Sequence, residues 1–115
     1  MTEAANLTPG DVTRTLSAIS REIDETTAEL SELDSAAVIA RHAFTRGFAE
    51  TFLQSEGSMD VRKYSAEVEC ADLKFAAEVA DQQLRACNAK LKALRDRLEV
   101  GRSIGALVRL EWGVS

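Results

Sequence analysis

Two long stretches of this chain place an apolar residue at alternating steps of four and three, and a chain built that way has few choices but to pair helices. In the first stretch the positions are Val12, Leu16, Ile19, Ile23, Thr26, Leu30, Leu33, Ala37, Ala40 and Phe44, with Thr26 the one polar member. In the second they are Cys70, Leu73, Ala77, Ala80, Leu84, Cys87, Leu91, Leu94 and Leu98. Between them, Phe48 to Tyr64 holds the one clear reversal. Gly57 tolerates the positive φ that ends a helix, and Ser58 can cap the next by accepting a bond from an early amide. The expected fold is therefore all-α: a long antiparallel two-helix hairpin, coiled-coil-like, with a short C-terminal helical segment and an oligomeric assembly.

The boundaries follow from local chemistry. Thr8 is placed to cap, Pro9 to occupy the first helical position, and Asp11 to meet orphan amides. A helix is expected over 9–55, a turn over 56–58 and a second helix over 59–100. Residues 1–7 read as a flexible arm, unless Leu7 packs against Val12 as a hydrophobic staple. Residues 8–115 then form a single helical domain. Gly101 and Gly105 interrupt the second pattern, leaving 101–112 as either a kinked continuation or a short helix from Ser103 to about Trp112.

Beyond Phe44 the apolar steps lengthen to four, through Phe48 and Phe52, so the seam drifts around the helix near the turn. An antiparallel hairpin turning near Gly57 pairs positions whose numbers sum to about 114 to 117. Ile19 would face Leu94 and Leu98, Ile23 would face Leu91 and Leu94, and Leu30 would face Leu84 and Cys87. Ala37 and Ala40 would meet Ala77 and Ala80. Charge supports the same pairing, because residues 1–40 hold two basic and eight acidic side chains, whereas 85–102 hold six basic and two acidic. Glu22, Asp24, Glu25, Glu29, Glu32 and Asp34 would lie beside Arg85, Lys90, Lys92, Arg95 and Arg97. Exposed pairs of this kind specify register more than they add stability.

A second stripe, Val61, Tyr64, Val68, Phe75 and Val79, occupies a neighbouring face that overlaps the seam and calls for a third helix, from another subunit or from a folded-back C-terminus. The apolar residues Ile104, Leu107, Val108 and Trp112 make a further face, read as a docking or oligomer surface. Arg41, Arg46, Arg62 and Lys63 gather near the turn, the tip of the hairpin, where they could grip an acidic partner or phosphate. The bland reading of that cluster is salt bridging with Glu50, Glu56 and Asp60.

Most catalytic chemistry has no foothold in these residues. There is one histidine, His42, no zinc-ligand spacing, no phosphate-cradling glycine loop and no nucleophile elbow. Cys70 and Cys87 are 17 positions apart, about 25 Å along one straight helix and beyond disulfide reach. Glu29 with Glu32 and Glu78 with Asp81 could hold magnesium, and distantly resemble the ExxE and ExxD motifs of all-α nucleoside triphosphate pyrophosphatases. The flanking lysine and asparagine constellation of that family is absent. No enzymatic activity, cofactor or metal is therefore expected.

The net charge of −5 disfavours a general nucleic-acid coat, though a local contact stays open. No apolar run is long enough to span a bilayer, and the N-terminus lacks a basic region followed by a hydrophobic core. A cytoplasmic setting with no membrane partner is expected. From Ala40 onward, EGS at Glu56 to Ser58, RK at Arg62 and Lys63, and GRSIGALVRLEW at Gly101 to Trp112 resemble small helical accessory proteins encoded by phages and prophages of high-GC, actinobacterial-type bacteria. The resemblance implies a non-enzymatic phage protein in the host cytoplasm that binds itself and a host or phage protein. Alternatives are a nucleic-acid accessory factor of replication or recombination, a virion assembly component, and the magnesium-dependent pyrophosphatase.

Overall fold

Helix α1 (Pro9–Gln54) starts at a reciprocal cap. The Asp11 amide donates to Thr8 Oγ1 and the Thr8 amide donates to Asp11 Oδ2, each at 3.1 Å. Two donors that a helix start leaves orphaned are thus satisfied. The backbone bond from Thr8, followed by its hydroxyl and Arg14, holds the Asp11 carboxyl below the usual carboxylate range. The structure, a computed structural model, describes residues 6–113. Among them the chain is all-α, with α1, α2 (Met59–Glu69) and α3 (Ala71–Glu111), and no strand.

The reversal is built by Gly57, whose φ of 108° suits a residue without a side chain. Ser58 follows with extended backbone and accepts from the Val61 amide at 3.3 Å, capping α2. The second helix, expected unbroken over 59–100, is divided at Cys70, whose φ of −102° and ψ of 12° leave the helical well. The division is shallow. The Cys70 amide still donates to Ala66 O at 3.0 Å, and the Lys74 amide to Cys70 O at 2.9 Å.

The described residues belong to two compact units, one made from the chain's two ends, up to Ala28 and from Asn88, and the other spanning Glu29–Cys87. In each unit α1 and α3 pack antiparallel.

In the unit of the chain ends, Ile19, Thr26, Leu91, Leu94 and Val108 are buried. Thr26 is only 1% exposed. Among the described residues no buried side-chain polar atom lacks a hydrogen-bond partner. The seam does not stop at Leu98. Gly101 and Gly105 keep the three-four step, and a Cβ on Gly101 would lie 2.7 Å from Leu16 Cδ2, one on Gly105 3.0 Å from Val12 Cγ1. These glycines lie directly against α1 side chains, and α3 runs through them to Glu111. Segment 101–112 is therefore mostly continuous with α3 rather than a separate helix, because close packing offsets the propensity cost of glycine. At the far end Trp112 Nε1 donates to Leu7 O at 3.3 Å. Leu7, expected in a flexible arm, is half-buried; residues 1–5 of that arm lie outside the described residues.

In the unit spanning Glu29–Cys87, Ala37, Ala66, Cys70, Ala77 and Cys87 are buried, so small side chains dominate the seam. Here too the seam extends past its expected end. A Cβ on Gly47 would lie 2.8 Å from Leu73 Cδ1 and 3.7 Å from Cys70 Sγ, and Thr51 Oγ1 lies 3.7 Å from the same sulfur. Gly47 and Thr51 continue the three-four step while Phe48 and Phe52 are half-buried beside it. Leu73 is the one seam member left exposed, at 38%.

Two outcomes test this packing. Gly101→Val should destabilise the fold by about 1–3 kcal/mol through overpacking, and Leu16→Ala in the same chain should recover a large part of that loss in urea titrations. Thr8→Ala should cost about 1 kcal/mol as a lost cap. Since Asp11 titrates below its unfolded value, its contribution is present above the unfolded pKa and disappears as pH falls through the folded one. Acid unfolding of Asp11→Asn should accordingly show a shallower pH dependence than the wild type.

Candidate interaction surfaces

The tip cations are engaged by their own chain. Arg41 Nε meets Asp81 Oδ1 across the helix pair at 3.2 Å. Arg46 Nε meets Glu50 Oε1 one turn on at 2.8 Å, and that hydrogen bond, followed by the charge of Glu50, raises the arginine's pKa further. Arg62 Nε donates to Gly57 O at 3.0 Å, closing the turn. Lys63 is exposed and, among the described residues, has no ion-pair partner. All of these pairs are solvated, so they orient side chains more than they stabilise the fold. Arg41, Arg46 and Arg62, three of the four cations expected to bind a partner, thus each have a partner within their own chain.

Asp81 is taken by Arg41, and among the described residues no three His, Cys, Asp or Glu side chains come together. His42 is exposed. Of the charge pairs expected between the arms, Glu22 Oε2 and Arg97 Nη1 stand 4.0 Å apart. Cys70 and Cys87 are buried thiols, one at the helix break and one within α3.

The four C-terminal apolar residues separate into different roles. Val108 is buried on the seam, and Trp112 is tied to Leu7. Ile104 and Leu107 face outward, Leu107 at 67% exposure. They are joined by Val100 and Leu110, also exposed, which sit at helical spacing on the same side of α3. Sequence reading passed over Val100 and Leu110; the four- and three-residue steps from Val100 to Ile104 to Leu107 were the available signal.

On the other unit the second stripe stands in solvent. Val61, Tyr64, Val68 and Phe75 are all exposed, Val68 at 78%, and Val79 is half-buried. Val61, Tyr64 and Val68 share a shallow depression with Ser65 and Glu69. Beside it an open groove of about 580 Å³ is lined by Phe44, Phe48 and Phe75 with Glu67, Lys74 and Glu78. The rings of Phe44 and Phe48 meet edge to face, their centroids 6.0 Å apart. Among the described residues, no helix is long and apolar enough to cross a membrane.

Comparison with known proteins returns no matching family model, no matching curated protein and no matching solved structure.

If Arg62 serves the turn, Arg62→Ala should lower stability by about 0.5–1 kcal/mol, and Lys63→Ala should leave it unchanged. Thermal unfolding of the two variants, read by circular dichroism, makes the comparison.

Proposed function

We propose that this chain functions by binding another protein, without chemistry of its own, and that the outer face of α3 near its C-terminal end carries that binding. The observation behind the reading is the exposed set Val100, Ile104, Leu107 and Leu110, aligned on one side of a helix whose opposite side is already packed on α1. Solvated helix faces are ordinarily polar, and an aligned apolar set is the usual mark of a docking surface. A net charge of −5 favours a protein partner over nucleic acid. The resemblance to phage and prophage accessory proteins suggests a host or phage protein as the partner, met in the host cytoplasm.

The tip is a poorer candidate, since Arg41, Arg46 and Arg62 would have to give up internal partners to grip an external one. The experiment is capture of the partner from expressing cells on the immobilised chain. Ile104→Glu with Leu107→Glu should keep its helicity and weaken capture by roughly 100-fold, as expected when charge is forced into an apolar interface. Arg46→Glu with Lys63→Glu should capture normally. The reverse pattern would move the binding site to the tip and overturn the reading.

A further inference from the structure

The outer stripe of α2 and the start of α3 reads nearly the same in both directions. From the N-terminal side it runs Val61, Tyr64, Val68, and from the C-terminal side Val79, Phe75, Ala71. Steps of three and four connect the run from Val61 to Phe75, and the hydrogen bonds that bridge Cys70 keep the two helices close to one phase. A sequence that mirrors itself is self-complementary about a two-fold axis. We propose that this stripe closes on a second copy of the chain, antiparallel and centred near Cys70, so that Tyr64 packs on the partner copy's Phe75 and Val68 on its Ala71.

Charge selects both the occupant and the direction. Glu67 and Lys74 line the same groove, on one flank of the stripe. In the antiparallel pair each glutamate meets the other copy's lysine, giving two attractive contacts by symmetry. A parallel pair would instead set Glu67 against the other copy's Asp72, two acidic groups. On the far flank Glu69 and Asp72 add like charge, which weakens the association. The surface is distinct from the outer face of α3 assigned to partner binding, and each assignment stands or falls separately.

Sedimentation equilibrium over about 1 to 500 µM tests the proposal. The wild type should show a monomer–dimer equilibrium. Glu67→Lys alone sets lysine against lysine, and Lys74→Glu alone sets glutamate against glutamate, so each should dimerise about tenfold more weakly. Mixed in equal amounts, the two single variants should form a heterodimer of wild-type strength, because every contact is again between opposite charges. Both side chains are exposed, and unchanged circular dichroism should accompany all variants. A wild type that stays monomeric throughout would overturn the proposal. So would single variants that dimerise as well as the wild type, or a mixture no tighter than its components, since either places any dimer on another face.

Discussion

Everything in this protein depends on how closely α1 and α3 approach, and that distance is set by the smallest side chain in each layer of the seam. Gly101 lies under Leu16, Gly105 under Val12, and Gly47 under Leu73, and a Cβ at these three glycines would stand 2.7, 3.0 and 2.8 Å from the facing side-chain carbon. A methyl group at any of them requires the facing side chain to shift, while the glycine itself costs about 1 kcal/mol of helix propensity relative to alanine. The helices persist through these positions because closer contact returns dispersion energy along their length. Val12 is the stiffest of the three neighbours, since a β-branched side chain in a helix has one preferred rotamer. Leu16 and Leu73 have more freedom to turn aside.

Most of the architecture was legible from period and punctuation. The cap at Thr8 and Asp11, the turn at Gly57, the Ser58 cap and the ten seam positions from Val12 to Phe44 all fall where their chemistry puts them, with those ten positions buried or half-buried. The ends of the seam were harder to read, for one physical reason. Glycine signals a helix break in isolation and a close contact in a pair, and only the partner strand of the seam tells which applies. Gly101, Gly105 and Val108 had continued the three-four step beyond Leu98, and Gly47 and Thr51 had continued it beyond Phe44. The division at Cys70 left no such trace, because a buried cysteine fits a seam position whether or not the helix is regular there.

The candidate surfaces were legible as composition but not as partnership. Periodicity could place Arg41, Arg46 and Arg62 near the turn; it could not show that Asp81, Glu50 and the Gly57 carbonyl already occupy them. The same limit divided the C-terminal set, sending Val108 to the seam and Trp112 to Leu7 while leaving Ile104 and Leu107 outside. What remains exposed is apolar and ordered along helix faces. On that ground the proposed work of the chain is association, one face for a second copy and another for a different protein.

The seam account is tested most directly by nuclear Overhauser contacts in solution between the glycine α-protons and the side chains placed over them. Contacts from Gly105 to the Val12 methyls, from Gly101 to the Leu16 methyls and from Gly47 to the Leu73 methyls are expected, all with helical chemical shifts at the glycines. Random-coil shifts at Gly101 and Gly105 without those contacts would contradict it, and would mean that the helix ends near Leu98 and that the seam is no longer than its large apolar residues.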